Sequence, residues 1–598
     1  MSEANLSEQG DMTMRTIKMM KCGTGALIFC IGSALHAANT YSYDPDDAKS
    51  YIVTVPSGEI NSLDSAAIGI LTGGGVTNFV KRGEGTLSVS EDLSGFVGNV
   101  HIEEGVYLSQ PQVTANTTLG SLSGYVFISD GATLRLSTSV QNTYLTGKTI
   151  HFAGDGYDGQ GALVNAEENA QQMASPFGAS LRLTGDAKVA TYAYQWFLIV
   201  PKYSLLEFDG HTLTTYGANY PVRFECPARM STTSGAIVAT GVGIQYWGDD
   251  GYSYFNPSVR ITDASHIGFS SLDGYWQGVL TLETGAAIRL YDGNNTFQGS
   301  VVLDDPMQNR VELRGYSVSF PRVVSGGGLF VVGNGTVAAG NLTLSNTDNS
   351  FSNGVTVTSG ATLTLSGYSA LPNKGPLVLT NASVIATGSH ATGATWTLPQ
   401  LFVHGTGLVA NATGTWKNSV TKTGDGELVY NSWINSNVLN LNGGQFTFPA
   451  GEYPGTATPG TNDRIPQFKT INAAPGTMLD LNGHSYTNNN LNGLPAILNC
   501  PEFAVKTSLS FSVSNVVDGA GIVTDGVFRF VDGATVSVTD IPAKVSSQGV
   551  MATVLSAAGG IFGFPGCAIG DKWRLSLSVD GKSLVLNYPP KGTVISFR

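Results

Sequence analysis

The chain has 598 residues, of which 13% are charged and 75 are glycine, and its formal net charge is −13. The charged fraction is about half the globular average of roughly 25%, and a disordered acidic tail is excluded because 42% of the residues are apolar. Nucleic acids and anionic membranes bind basic surfaces, so we predict neither as a partner.

Residues 1–38 have the features of a secretory signal that begins with a start-site extension. Three basic residues precede the apolar run: Arg15, Lys18 and Lys21. The run itself, Gly25–Gly32, is too short to span a bilayer, which takes ~20 residues, and small residues around Ala37 and Ala38 offer cleavage sites. We therefore predict a secreted or surface-located protein, or a periplasmic one, and not an integral membrane protein.

Short runs of β-branched and apolar residues alternate with Ser, Thr or Asn, and Gly, Asn or Asp separate the runs. This pattern is typical of many short strands. Three runs are introduced by Gly-Ala-Thr, at Gly131, Gly360 and Gly533. The one segment with helical character is the polar stretch 166–173, so we predict an all-β fold.

Two sequence units recur along the chain. The pattern Lys-x-Gly-x-Gly-x-Leu occurs at Lys81–Leu87 and at Lys422–Leu428. A second unit starts with phenylalanine and continues through glycine to valine, at Phe96, Phe297 and Phe351. Recurrent short strands with regular turns favour a stacked solenoid over a closed barrel.

A longer match supports the same conclusion. The segment Asp209–Thr214 parallels Asn482–Thr487, and a Cys-Pro pair follows each. Since the same residues occupy equivalent places in two copies, we interpret the histidines as turn residues and the cysteines as small buried residues. These residues are His211, His484, Cys226 and Cys500. With Cys567, the predicted mature chain has three cysteines, which allow at most one internal disulfide.

The solenoid hypothesis divides the mature chain into three parts. Residues 39–69 are predicted to form an N-terminal cap, residues 70–545 a β-solenoid with degenerate repeats, and residues 546–598 a C-terminal β cap. Asp580 and Gly581 separate two alternating segments, which is a strong hairpin signal. Within the solenoid, asparagine side chains are expected to form ladders along the stacked turns.

The recurrent units Lys-x-Gly-x-Gly-x-Leu, Phe-x-Gly-x-Val and Gly-Ala-Thr-Leu-x-Leu resemble the autotransporter-associated β-strand repeats of bacterial passenger domains. The resemblance covers scattered units between residues 70 and 545. It implies a right-handed parallel β-helix that is secreted and surface-displayed, and it carries no catalytic residues because the family shares none. A self-displaying autotransporter ends in an outer-membrane barrel. The last strands of this sequence are too few for one, so we do not expect the chain to transport itself.

One stretch and its surroundings combine aromatic and acidic residues in a way that suits sugar binding. Aromatic faces stack on sugar rings, and carboxylates accept hydrogen bonds from hydroxyls. The candidate ligand-binding residues are Tyr246, Trp247, Asp249, Asp250, Tyr252 and Trp276. The alternative interpretation is that the aromatic rings fill the interior of the rod.

Other motifs give weaker indications of a metal or cofactor site. Acidic turns could hold calcium, at Asp44, Asp46 and Asp47, at Asp155 and Asp158, or at Asp249 and Asp250. Calcium takes six to eight oxygen ligands, so we interpret these as solvated turns and predict no cofactor and no metal. Gly154–Gly159 matches GxGxxG, but no acid follows at the right distance, and we interpret it as a glycine corner.

The leading hypothesis is a non-catalytic secreted or surface-displayed β-solenoid for adhesion, surface coating or matrix binding, with glycans or other surface proteins as partners. The alternative is a β-helix polysaccharide lyase or glycoside hydrolase, with Asp249 or Asp250 near Asp273 as carboxylates. The enzyme predicts a groove with convergent acids, or an acid beside Arg or Lys. The adhesin predicts faces of Ser, Thr and Asn with no charged cluster.

Overall fold

The computed structural model describes residues 37–588 apart from internal gaps, of which the longest are 166–178, 388–396 and 449–466. The described residues are nearly all β, and their parallel strands coil into a β-solenoid. The predicted all-β, parallel β-helix fold is therefore confirmed.

The N-terminal half is built from two stacks in which each strand pairs with the equivalent strand of the next turn. Stack A contains Thr40–Tyr43, Ser50–Thr54, Asn78–Arg82, Asn99–Ile102, Tyr125–Ile128, Thr149–Gly154, the start of Ser180–Thr191, Leu205–Glu207 and Arg229–Met230. Stack B contains Ile60–Ser62, Thr86–Val89, Gly105–Ser109, Ala132–Leu136, Leu163–Asn165, the end of Ser180–Thr191, Thr212–Gly217, Ala236–Gly241, Ser258–Ile261, Leu280–Leu282, Val301–Leu303, Val324–Gly326 and Ser350–Phe351.

Two further stacks continue the coil to the C-terminal end. Stack C contains Phe197–Leu198, Val222–Cys226, Gly243–Gly248, His266–Ser270, Ala287–Asp292, Arg310–Glu312, Leu329–Val332, Val355–Thr358, Leu377–Thr387, Leu401–Trp416, Val420–Thr423, Glu427–Leu441, Gln467–Ala473, Tyr486–Gly493, Glu502–Ser512 and Thr535–Thr539. Stack D contains Asn294–Thr296, Ser317–Phe320, Asn341–Leu344, Thr362–Ser366, Gln445–Thr447, Met478–Asp480, Ala496–Leu498, Ile522–Thr524, Val550–Ala557 and Ser583–Tyr588, joined by parts of the longer stack C strands. The remaining strands are Thr397–Leu398, Val527–Phe530, Ile561–Phe562, Ala568–Ile569 and Trp573–Leu577.

The core follows from the two-residue period of a strand. Along Asn341–Leu344 the leucines are fully buried, whereas the asparagine and threonine between them are half-buried and face outward. The number of residues in a turn of the solenoid varies. Leu491 pairs with the nearby Leu509, whereas Ile150 pairs with Leu181 much farther along the chain. The stacking therefore tolerates insertions at the corners while the inward positions keep their register.

Antiparallel strands lie at both ends of the coil. Thr40–Tyr43 runs antiparallel to Ser50–Thr54, which itself stacks in parallel on the next turn. At the other end Trp573–Leu577 and Ser583–Tyr588 form the predicted hairpin. Its turn contains Gly581 at φ +67°, and the carboxylate of Asp580 accepts a hydrogen bond from the Lys582 amide at 3.0 Å. The C-terminal hairpin is confirmed.

Two short helices were not anticipated from the sequence. Ser65–Thr72 begins at Asp64, whose carboxylate accepts a hydrogen bond from the Ala67 amide at 2.7 Å. Val513–Val517 begins at Ser512, which caps it in the same way. A 3-10 turn at Tyr157–Gly159 lies in the predicted glycine corner. The predicted helical stretch 166–173 lies outside the described residues.

The two His-containing segments have the same turn. Asp209 and Gly210 have φ +48° and +88°, and Asn482 and Gly483 have φ +49° and +89°. A glycine in the second position removes the penalty of a positive φ. The amides of the following histidines donate to Phe208 and Leu481 at 2.8 and 2.9 Å, which closes each turn. The interpretation of His211 and His484 as turn residues is confirmed.

The Lys-x-Gly-x-Gly-x-Leu units form matching corners around a buried lysine. The Nζ of Lys81, which is fully buried, donates to the carbonyl of Gly83 and to those of Gly85 and Glu104, the last two at 2.6 Å. The Nζ of Lys422 donates to the carbonyls of three residues in the equivalent corner: Thr423, Gly424 and Gly443. Burial lowers the pKa of Lys81 to about 8 and also lowers that of Lys422. Each lysine thus fastens its own loop to the next turn.

We expect Lys81→Met to loosen this corner, since it keeps the apolar stem but leaves three buried carbonyls without their charged donor. A local loss of about 2–4 kcal/mol follows from the strength of such hydrogen bonds. Hydrogen exchange of the amides in Thr86–Val89 and Gly105–Ser109 measures it. Lys506→Met, at an exposed lysine, is the control, and equal exchange in both variants would contradict the role of the corner.

Candidate functional site

The structure places two of the candidate ligand-binding residues in the interior. Tyr246 and Trp276 are 3% and 1% exposed, and their rings pack edge to face with centroids 5.9 Å apart. Trp276 also packs against Phe269 and Phe297. Neither ring can offer its face to a sugar from this position, which agrees with the alternative that the aromatic rings fill the rod.

The other candidates cannot be placed in the same way. Trp247 belongs to the strand Gly243–Gly248, but its side chain lies outside the described part of the structure. Asp249, Asp250 and Tyr252 also lie outside the described residues, as does Asp273. The predicted patch therefore stays a prediction at these positions.

The outward face of stack D carries an ordered grid of uncharged side chains, here called the polar array. Four consecutive strands contribute two residues each in aligned register. One column contains Asn294, Ser317, Asn341 and Thr362, and the other contains Thr296, Ser319, Thr343 and Thr364. Neighbours hydrogen-bond across turns and along a strand: Thr364 donates to Asn341 at 2.7 Å, and Asn341 donates to Thr343 at 3.0 Å.

The grid has a regular repeat because the backbone does. Neighbouring strands lie ~4.8 Å apart, and alternate residues of one strand lie about 6.6 Å apart. All members of the polar array except Asn294 are half-buried, and Asn294 is exposed. The surface thus presents hydroxyl and amide groups at fixed intervals with no formal charge.

A second uncharged face occurs farther along stack C. The side-chain amide of Asn472 donates to Asn440 at 2.7 Å, that of Asn492 donates to Asn472 at 2.7 Å, and that of Asn440 donates to Thr421 at 3.2 Å. The four residues occupy one register column over four turns. The predicted asparagine ladder is therefore present, and it fixes these amides in one orientation.

Stack A has a different outward column. The rings of His101, Phe127 and His151 stack face to face, with 4.8 Å between successive centroids. Tyr125, which is 48% exposed, packs edge-on against His151 at 5.6 Å. Burial lowers the pKa of both histidines, and Arg182 lowers that of His151 further. The histidines are therefore neutral at neutral pH and favour stacking.

The same column continues into a charged cluster. The Nε of Arg182 lies 3.3 Å from a carboxylate oxygen of Glu207 and 3.0 Å from one of Asp209. These two oxygens are no more than about 6 Å apart, because both contact one nitrogen, and roughly 5–10 Å is the range of glycosidase carboxylates. Hydrogen bonding to Asp209 and the charge of Glu207 raise the pKa of Arg182.

The described cysteines are free thiols. Cys500 is 2% exposed, and burial raises its pKa to about 12, so it is a buried residue as predicted. Cys567 is half-buried, and its thiol contacts the carbonyl of Val536 at 3.3 Å. Cys226 lies in the strand Val222–Cys226, but its side chain is not described.

The acidic turn at the N-terminal end is held by its own backbone. The carboxylate of Asp44 accepts a hydrogen bond from the Asp46 amide at 2.9 Å. Asp47 accepts from the Lys49 amide and from the Ser50 hydroxyl, and the latter bond chiefly lowers its pKa. Over the described residues, no group of three or more His, Cys, Asp or Glu side chains is arranged to hold a metal ion.

Sequence reasoning missed the polar array and the cluster at Arg182. The array had a usable signal, because Thr362, Thr364 and their equivalents alternate with buried leucines in short runs. The cluster at Arg182 had no signal in the sequence, since Arg182 and Glu207 lie on different turns and only the register brings them together.

No protein-family model, curated protein or solved structure matches this chain. Across the described part of the chain, no helix has both the length and the apolar character needed to cross a membrane. The surfaces of the coil are therefore the basis for a functional proposal.

We expect Trp276→Ala to act on stability. Removing a fully buried tryptophan that packs against three aromatic rings costs about 3–5 kcal/mol. Thermal unfolding followed by near-ultraviolet circular dichroism should show a lower midpoint. An unchanged midpoint together with lost glycan binding would instead make Trp276 a ligand contact.

Proposed function

We propose that this chain is a non-catalytic, secreted or surface-displayed β-solenoid that binds neutral glycans of a surface or matrix through its outward polar faces. The observation that carries the proposal is the polar array, where eight uncharged Ser, Thr and Asn side chains stand in two aligned columns.

The chemistry of the array suits a neutral polymer. Hydroxyl and amide groups both donate and accept hydrogen bonds, as sugar hydroxyls do. Each contact is weak in water, but a repeating ligand can engage several turns at once, and linked contacts raise the overall affinity without a deep pocket. The asparagine ladder of stack C offers a second face of the same kind.

The alternative function is hydrolysis or lyase cleavage of a polysaccharide. One observation favours it: the carboxylates of Glu207 and Asp209 converge on Arg182, which is the combination of two acids and an arginine that the enzyme hypothesis predicts. Both side chains are partly exposed. The experiment must therefore measure binding and cleavage in parallel.

The test incubates the purified chain with a panel of insoluble neutral polysaccharides and measures both the bound protein and the reducing ends released. Thr343→Arg places a long charged side chain in the middle of the polar array and should weaken binding by about tenfold or more, because it blocks several turns. Thr281→Arg is the matched control, since Thr281 is also a half-buried outward threonine but belongs to stack B, which carries neither the polar array nor the asparagine ladder.

The outcomes separate the two functions. Binding that Thr343→Arg abolishes and Thr281→Arg retains, without new reducing ends, supports the proposal. Release of reducing ends that is lost in Glu207→Gln or Asp209→Asn would establish the enzyme instead. Equal binding by both arginine variants would contradict the role of the array.

We further propose export, on the basis of the signal-like segment 1–38. The expected mature N-terminus is Ala38 or Asn39, following cleavage after Ala37 or Ala38. Mass spectrometry of the N-terminal peptide of the protein from its native cell checks this. An intact N-terminal segment on the abundant cellular form would contradict export.

A further inference from the structure

Two arginines contact one carboxylate on the outward side of stack C, and a third arginine lies near it. Arg289 and Glu312 are register partners on neighbouring turns, and Arg289 Nε donates to the Glu312 carboxylate at 2.7 Å. Arg310 lies two residues before Glu312 on the same strand, with its guanidinium 3.7 Å from that carboxylate. Arg314 lies in the loop that directly follows this strand. On a chain of net charge −13, this is a local excess of positive charge.

The positions of these guanidinium groups are set by their neighbours. Arg314 sits at φ +53°, and its guanidinium lies over the ring of Tyr291, 5.0 Å from the centroid. The hydroxyl of Tyr291 is in turn 3.0 Å from Nε2 of His266, which is 7% exposed. Burial, reinforced by Arg289, lowers the pKa of His266 to about 4, so this histidine adds no charge at neutral pH. The Arg314 guanidinium is thus held by an aromatic ring rather than by an acid.

The charge balance of the cluster is uneven. Glu312 contacts both Arg289 and Arg310, while the Nε of Arg310 has no hydrogen-bond partner among the described residues. Three guanidinium groups against one carboxylate leave an excess of two positive charges. Guanidinium groups pair with carboxylates in a planar, two-bond geometry.

The cluster borders a surface groove of about 360 Å³, lined by Arg289, Glu312, Arg314, Val332 and Gly333. Val332 is the register partner of Glu312 on the next turn, so the column that begins with Arg289 ends in an apolar side chain. A side chain at Gly333 would collide with the Ser359 carbonyl oxygen at 2.3 Å, which restricts this position to glycine. The groove therefore combines cationic donors on one side with apolar atoms on the other.

We propose that this groove binds a single carboxylate-bearing sugar, with the carboxylate on Arg314 and Arg289 and the apolar face of the ring on Val332 and Gly333. An inorganic oxyanion would use the arginines alone and leave the apolar wall unused. A long polyanion would be repelled by the net negative charge of the rest of the chain. The proposal goes beyond the neutral-glycan function above and does not require the polar array to bind anything.

The experiment titrates the purified chain with glucuronic acid and with glucose, which differ in the carboxylate, and follows ligand signals by saturation-transfer NMR. Glucuronic acid should bind in the groove, and glucose should not bind there. Arg314→Asn removes the charge with a residue that tolerates a positive φ, and Arg289→Gln removes the second donor. Each should weaken glucuronic acid binding by about tenfold or more, as expected for a hydrogen bond to a charged group.

Arg529→Gln is the matched control, because Arg529 also pairs with a carboxylate on a neighbouring turn, Glu502, and lies over an aromatic ring, Phe562. It should leave binding within about twofold of the parent chain. Inorganic phosphate binding as tightly as glucuronic acid would overturn the assignment to a sugar acid. Equal weakening by Arg529→Gln, or glucose binding that Arg314→Asn weakens as much as it weakens glucuronic acid binding, would overturn the site. Thermal unfolding of each variant verifies folding, and failure of the neutral-polysaccharide test alone leaves these outcomes unaffected.

Discussion

Parallel backbone pairing between successive turns is the constraint on which the rest of this structure depends. Once a strand pairs in register with the strand one turn earlier, equivalent side chains must stack in columns ~4.8 Å apart. Inward columns become apolar, as in the stacked rings of Tyr486, Phe503 and Phe528. Outward columns join side chains that can bond to one another, as the amides of Asn440 and Asn472 do. Core and surface thus obey the same rule.

Backbone pairing between turns is interrupted at the corners of the coil, and the recurrent lysine-containing units lie at such corners. A chain that leaves one strand for the next points carbonyls inward without strand partners, and such buried groups are costly unless they are bonded. At Lys81 and Lys422 an ammonium group satisfies three carbonyls at once and ties one turn to the next. The lysine of the motif is therefore structural, although its sequence gives no sign that the side chain points inward.

Local features could be predicted from the sequence together with their positions, whereas contacts between turns, such as the asparagine ladder, could be predicted only as a type and not by residue. The turns at Gly210 and Gly483 and the hairpin at Gly581 depend on a few adjacent residues, so their residue types sufficed. The helix at Ser65–Thr72 was missed because it is short and mostly apolar, despite the capping Asp64. Contacts between turns need the register, and the uneven lengths of the turns hide it. Tyr246 was misleading because an aromatic residue in a polar stretch does not reveal which side of the strand it occupies.

The same stacking bears on the choice between binding and catalysis. Acid–base hydrolysis needs two carboxylates in different environments, so that one keeps its proton while the other is ionised. Glu207 and Asp209 instead share a single guanidinium, that of Arg182, at nearly equal distances. These contacts give the two carboxylates similar rather than different environments, which suits recognition of hydroxyls better than proton transfer. Successive turns of a solenoid place similar side chains in similar surroundings. Such repeated contacts favour a binding surface over a single reactive centre.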